Sequence, residues 1–235
     1  MAEELTRMKI LLGEERAARL AKKTVVVAGV GGVGSFVTEA LARSGIGKLI
    51  LIDSDEVEIS NLNRQLMTAY DNVGRPKVEV MKERIASYSR TTEVEARQLF
   101  IDDSFEIGQK ADYIADCIDT LNGKMVLAER AFAAGVPLIS AMGAARRIAT
   151  GELVVTTLDK TSGDPLARKY RQLCRKRGFD AKNIRVVINT SPTLDYDPPA
   201  KEENTRAPLG SSIFPVGILG LKIAEIIVND LLEIR

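Results

Sequence analysis

Residues 24–65 decide the fold. They open with Thr24-Val25-Val26-Val27-Ala28 and run straight into Gly29-Val30-Gly31-Gly32-Val33-Gly34. The β-branched run reads as a buried strand. A helical pattern follows through Leu41 and stops at Ser44-Gly45, and a second strand, Lys48-Leu49-Ile50-Leu51-Ile52, ends on Asp53. This is one βαβ unit carrying G-x-G-x-x-G. Gly29 serves the tight turn, Gly31 lets the backbone approach a phosphate, and Gly34 lets helix and strand pack closely. The helix start offers unpaired N–H groups to an anion, and Asp53 can accept hydrogen bonds from ribose hydroxyls. Nucleotide binding follows. Whether the ligand is a dinucleotide or ATP is left open by this motif alone.

Outward from that unit, the pattern alternates strand and helix. Apolar residues from Leu5 to Leu20 suggest a surface helix or helical pair. Beyond Asp53, the polar run from Ser54 through Gln65 reads as a loop at the carboxyl edge of the sheet. Gly74-Arg75-Pro76 starts a helix that continues to about Ser89. Lys77 lies in its first turn, where a cation opposes the helix dipole, so an anion is expected nearby. Val94, Ala96 and Leu99 suggest a third strand, and Tyr113 to Asp119 a fourth that ends in aspartate. A helix over 122–134, a fifth strand at 137–140 and a sixth, antiparallel strand at 152–158 follow. A mostly parallel, doubly wound Rossmann-like α/β sheet is expected, with a smaller C-terminal extension. Asp164-Pro165 begins a helix that Gly178 stops, holding Arg168, Lys169, Arg171, Arg175, Lys176 and Arg177. Ile184 to Ile188 suggests another strand, the proline-rich stretch from Ser191 to Gly210 a mobile loop, and a helix at about 215–232 comes last.

Composition narrows the chemistry. The 235 residues are 45% hydrophobic and 28% charged, with a net charge of +1. Contact with nucleic acid would therefore need a local basic patch. Cys117 and Cys174 form neither a disulfide framework nor a zinc knuckle. Histidine is absent, which removes histidine-based nucleophile pairs, metal sites and acid–base work. The N-terminal stretch is charged throughout and no apolar run reaches membrane-spanning length. A cytoplasmic protein with no integral membrane segment is expected, and DNA is not among the expected partners.

The set Gly29, Gly31, Gly32, Gly34, Asp53, Ser60-Asn61-Leu62-x-Arg64-Gln65, Lys77 and Asp119 resembles the ubiquitin-activating-enzyme-like superfamily, from Arg7 to about Met142. That resemblance implies ATP with Mg²⁺. Asp53 would hold the ribose, and Asn61, Arg64 and Lys77 the phosphates, with Asp55 and Gln65 completing the nucleotide set. Asp119 would hold the metal. Arg64, Lys77 and Asp119 would be the catalytic residues as a carboxylate attacks the α-phosphorus. Arg7 resembles the arginine that these enzymes insert into a neighbouring subunit's ATP site, which implies a homodimer.

Sulfur-carrier activators of the superfamily carry two C-x-x-C zinc pairs, and this chain has none. Over nearly its full length it is similar instead to the tRNA threonylcarbamoyladenosine dehydratases, through Arg43-Ser44-Gly45-Ile46-Gly47, Asp71-Asn72-Val73-Gly74 and Asp164-Pro165-Leu166-Ala167-Arg168-Lys169. That branch uses ATP to activate the threonyl carboxylate of a modified anticodon-loop adenosine. The substrate's carbamoyl nitrogen then closes a ring. The resemblance implies tRNA carrying threonylcarbamoyladenosine as substrate, with Arg146, Arg147, Arg168, Lys169, Arg171 and Arg175 as candidate tRNA contacts. A sulfur-handling partner protein is a further partner it allows. One domain over 1–235 is expected. Residues 24–142 would form its nucleotide-binding core, and 143–235 a part for tRNA and dimer contacts with the loop 191–210. The alternatives are adenylation of the C-terminal glycine of a ubiquitin-like sulfur carrier, an NAD-dependent oxidoreductase, and a non-catalytic nucleotide-sensing or tRNA-binding module.

Overall fold

The structure, a computed structural model, describes residues 3–108, 110–195 and 209–234. Of the helix or helical pair expected at the N-terminus, the pair forms, α1 (Thr6–Leu12) and α2 (Glu14–Leu20), because Gly13 between them takes φ +80°. Then come β1 (Thr24–Ala28), α3 (Gly32–Arg43), β2 (Lys48–Ile52), α4 (Lys77–Tyr88), β3 (Glu93–Arg97) and β4 (Tyr113–Asp116). The order continues α5 (Leu121–Ala133), β5 (Leu138–Ala141), β6 (Leu153–Thr157), α6 (Pro165–Arg177), β7 (Arg185–Asn189) and α7 (Ile213–Leu232). Residues 196–208 of the loop expected at 191–210 lie outside the described residues.

The seven strands form one sheet in the order β3-β2-β1-β4-β5-β7-β6. Every pairing is parallel except β6 with β7, so the doubly wound α/β expectation holds. The order reverses between β1 and β4, and ligands of such sheets bind at that switch point, beyond the carboxyl ends of the strands.

Strand β1 is apolar on both sides because both are covered. Val25 and Val27 join the core under α3, α4 and α7, whereas Val26 and Ala28 join the core on the α5 side. A third cluster fills the space between α5 and α6 around Tyr170 and Cys174. Helix α7 lies against α3 through its glycines: a Cβ on Gly220 would sit 2.6 Å from the Val33 carbonyl oxygen, and one on Gly217 3.3 Å from the Phe36 ring. Strand β4 is shorter than its apolar pattern suggested. It ends at Asp116 rather than Asp119, because the Asp116 carboxylate turns back to accept from the Ile118 N–H at 3.2 Å. No helix among the described residues is long and apolar enough to cross a membrane.

Candidate active site

The glycine turn is built so that only some of its glycines serve the fold. Gly29 has φ +85°, and a Cβ there would lie 2.7 Å from the Cys117 carbonyl oxygen. A Cβ on Gly34 would lie 1.7 Å from the Gly29 carbonyl oxygen, and one on Gly32 would press on Val216 at 3.3 Å. Gly31 differs. A Cβ there would meet nothing closer than Gln65 Nε2 at 3.8 Å, ordinary van der Waals contact. The fold itself leaves room for a side chain at Gly31, which is what a site for an external ligand requires.

Asp53 ties the turn to β2. One carboxylate oxygen accepts from the Val30 N–H at 2.6 Å and the other from the Asp55 N–H at 2.9 Å. Burial raises its pKa, with the nearby Lys77 ammonium as the main opposing influence. Lys77 is itself buried and donates to Asp55 at 2.8 Å. The anion that its place in the first turn of α4 demands is thus, in the free protein, a carboxylate of the chain.

Asn61 shapes the next wall. Its carbonyl accepts from the Arg64 and Gln65 N–H groups, and its side-chain oxygen accepts from the Glu58 N–H. The turn is anchored to α3 by the Leu66 N–H donating to Ser35 Oγ at 3.1 Å. Gln65 is 6% exposed, and its side-chain carbonyl oxygen is buried with no hydrogen-bond partner. A buried acceptor left unpaired costs roughly 1–3 kcal/mol, so it is held there against its own solvation. The Arg64 guanidinium rests on two neutral acceptors, the Ser60 carbonyl and Asn63 Oδ1, and makes no ion pair among the described residues.

Asp119 sits three residues past the end of β4, exposed, and its carboxylate makes no hydrogen bond or ion pair among the described residues. A buried group that sequence reasoning missed joins β4, α5 and β5. Lys124 and Asp116 are both fully buried and paired at 3.1 Å, with Lys124 also donating to Ser140 Oγ and the Ala141 carbonyl. Ser140 Oγ donates to Asp116 at 2.5 Å. A charged residue beside the apolar Met125-Val126-Leu127 was the available signal.

The structure brings the glycine turn, Asp53, Asp55, Lys77 and Gln65 together in one crevice at the switch point, while Asn61 and Arg64 lie on the turn that carries Gln65 and bond within it, and Asp119 lies just past the end of β4. Arg7 does not join them. It lies on α1, whose flanking Leu5 touches Gly45 and whose Glu4 accepts from the Arg90 N–H. Both contacts are at the far ends of α3 and α4 from the glycine turn. The candidate tRNA contacts also divide. Arg168, Lys169 and Arg175 are exposed on α6. The Arg171 guanidinium is tied to the Thr161 hydroxyl and carbonyl, and that of Arg146 to the Leu194 carbonyl and Asp195. Arg147 is buried. Neither cysteine is poised as a nucleophile, since burial pushes the Cys117 thiol up to about 12 and that of Cys174 to about 11.

A parallel Rossmann-like sheet with this crevice defines a nucleotide-binding class. A model of the ThiF family matches residues 4–230, and the chain belongs to that family. Over 99% of its length it is 36% identical to the tRNA threonylcarbamoyladenosine dehydratase of Bacillus subtilis, of which it spans 96%. To the Escherichia coli dehydratase it is 40% identical over 80% of the chain and 69% of the relative. Solved structures of the E. coli enzyme with ATP and with AMP each superpose with a TM-score of 0.86, at 29% and 30% identity. They cover 98% and 97% of this chain, and 94% and 93% of theirs.

Proposed function

We propose that this chain is an ATP-dependent tRNA threonylcarbamoyladenosine dehydratase. The observation that carries the reading is similarity to a dehydratase over nearly the whole of both chains, joined to a glycine turn whose Gly31 has no neighbour to exclude a side chain.

In the reaction, a threonyl carboxylate oxygen bonds to the α-phosphorus of ATP and pyrophosphate leaves. The carbamoyl nitrogen then bonds to the acyl carbon, AMP leaves with the carboxylate oxygen, and the nitrogen gives up its proton. The net change is loss of one water from the nucleoside. The nucleophile comes from the substrate, so no enzyme thiol is needed, consistent with the high pKa of both cysteines. Asp53 would hold the ribose hydroxyls. Asn61 and Gln65 would face the nucleotide, with the unpaired Gln65 oxygen gaining a donor. Lys77 would exchange Asp55 for phosphate oxygens, and Arg64 would swing from its neutral acceptors onto the charge that develops as pyrophosphate departs. Such preorganised donors are worth about 10²–10³ in rate each.

Magnesium would be held by Asp119 together with phosphate oxygens of the nucleotide, not by a cage of protein ligands. Among the described residues no group of three or more histidine, cysteine or acidic side chains could enclose a metal, and Asp119 is a lone free carboxylate. Mg²⁺ is commonly held by one or two carboxylates plus substrate phosphates, and there it would neutralise phosphate charge.

We further propose a homodimer. Phe214, Ile218 and Leu221 line one face of α7 and are 59%, 43% and 51% exposed, an apolar stripe of the kind subunit contacts cover. Arg7, remote from its own crevice, would act on a partner's. Residues 24–142 would bind nucleotide, while 143–235, with the basic face of α6, would contact tRNA and the second subunit. A sulfur-handling partner protein remains part of the proposal only as a docking option.

The test is incubation with ATP, magnesium and tRNA bearing threonylcarbamoyladenosine. ATP-dependent loss of one water mass from the nucleoside is the expected result. Pyrophosphate exchange only with a small carrier protein would move the assignment to carrier adenylation, and NAD binding in place of ATP would end both readings.

A further inference from the structure

Arg146 and Arg147 are neighbours in sequence and look alike there, but the fold treats them differently. The Arg146 guanidinium is engaged by the Leu194 carbonyl and Asp195, and its backbone takes the left-handed φ of +62° that turns the chain at this point. Arg147 is 5% exposed, its Nε is buried without an acceptor, and its side chain makes no hydrogen bond or ion pair among the described residues. A buried cation is costly unless it is paired, and an incoming anion would supply the missing partner.

The surroundings say where. The Arg147 carbonyl accepts from Ser212 Oγ at 3.5 Å. Ser212 is the residue before α7, and its hydroxyl makes no capping bond to that helix. The first-turn N–H groups of a twenty-residue helix therefore lie uncapped by a side chain beside the segment that carries Arg147. The same segment reaches the nucleotide crevice on its other side: Asn63 Nδ2 donates to the Ser211 carbonyl at 2.9 Å, and Val216 packs on Gly32. A ligand anion held between Arg147 and the start of α7 would thus lie beside the segment that borders the glycine turn.

We propose that Arg147 and the start of α7 form a second anion site, which takes an oxyanion of the acceptor substrate, either the threonyl carboxylate or a phosphate of the anticodon loop. The inference rests on the tRNA reading above. It assigns Arg147 to binding substrate inside the cleft, while Arg146 shapes the loop and the exposed arginines of α6 serve the outer surface.

The experiment compares full-length wild type, Arg147→Met and Arg147→Lys. It measures binding of tRNA bearing threonylcarbamoyladenosine, binding of the same tRNA unmodified, ATP affinity, and the rise in melting temperature caused by inorganic phosphate. A charge-assisted bond predicts that Arg147→Met weakens tRNA about 10- to 100-fold. Its ATP affinity should be unchanged and its melting temperature in buffer equal or higher, with Arg147→Lys recovering part of the loss. Weakening confined to modified tRNA identifies the carboxylate, and equal weakening of both tRNAs identifies a phosphate. If wild type binds no tRNA, the functional reading fails, yet loss of the phosphate-induced stabilisation in Arg147→Met would still support the anion site. Unchanged tRNA and phosphate responses in Arg147→Met, or a lower melting temperature in buffer with unchanged binding, would overturn the inference.

Discussion

The buried ion pair between β4 and α5 supplies a quantitative test. Lys124 and Asp116 have no solvent exposure, and Lys124 spends its three donors on Asp116, Ser140 and the Ala141 carbonyl. Lys124→Met removes the counter-charge and leaves a carboxylate in the interior, a change that costs about 3–5 kcal/mol. For a domain of ordinary stability, about 5–15 kcal/mol, that is a large fraction. Asp116→Asn added to it removes the orphaned charge while an amide oxygen can still accept from the Ile118 N–H and an amide N–H can still reach Ser140. The double variant should therefore be more stable than Lys124→Met alone by about 1–2 kcal/mol. Urea unfolding at neutral pH measures both, with an unchanged slope confirming that only stability moved. The pair also brackets Asp119, between the end of β4 and the first turn of α5. ATP turnover of Lys124→Met should fall even at temperatures where the variant is fully folded. A loss below about 1 kcal/mol in the single variant, or a double variant no better than it, would refute this account of buried charge.

Further outcomes follow from the crevice. Gly31→Ala should fold normally, since its Cβ meets nothing closer than 3.8 Å, but lose ATP binding in calorimetry; Gly34→Ala, 1.7 Å from the Gly29 oxygen, should fail to fold stably. Lys77→Met should lower kcat about 10²–10³-fold, read from pyrophosphate release, with its fold intact by circular dichroism. Burial raises the folded pKa of Asp53 above its unfolded value, so the folded state holds this proton more tightly and the group's stabilising effect is fullest in acid. Relative to Asp53→Asn, the free wild-type protein should lose stability as pH rises from below the ordinary aspartate range through the raised value, and level off above it. Chemical denaturation across that pH range measures the difference. With thiols pushed up to about 12 and about 11, Cys117 and Cys174 should alkylate slowly at pH 8, and replacing both with alanine should leave turnover in place.

What the sequence made legible was whatever is written locally. The β1–α3–β2 unit shows its periodicity and glycine spacing within about thirty residues, Lys77 stands out as a cation in the first turn of a helix, and the run from Asn61 to Gln65 is legible through its resemblance to a family motif. The mostly parallel, doubly wound sheet followed from alternation of strand and helix, whereas the order of its strands did not. What escaped depended on distant contacts. Asp116 and Asp119 are alike in type, and only Lys124 and Ser140, brought in from α5 and β5, single out the first as buried and structural. Arg171 looked like its exposed neighbours on α6, but Thr161 holds it. Arg146 and Arg147 separate only because Leu194 and Asp195 fold back over one of them. The packing of α7 on α3 left a trace in Gly217 and Gly220, but its target could not be named from spacing alone.

That last contact has a consequence for the order in which the molecule is assembled. The glycine turn and α3 are made early, while the helix that supports them through Val216 and Gly220 is encoded roughly 170 residues later. At about 5–20 residues per second, a growing chain would hold Val33 and Phe36 uncovered for roughly ten to thirty seconds. Loop closure over such a separation also slows refolding of the released chain. During synthesis, then, the nucleotide crevice is a late product of an early segment, and the window before α7 arrives is when the nascent protein is most open to capture by chaperones or to aggregation through that bare helix.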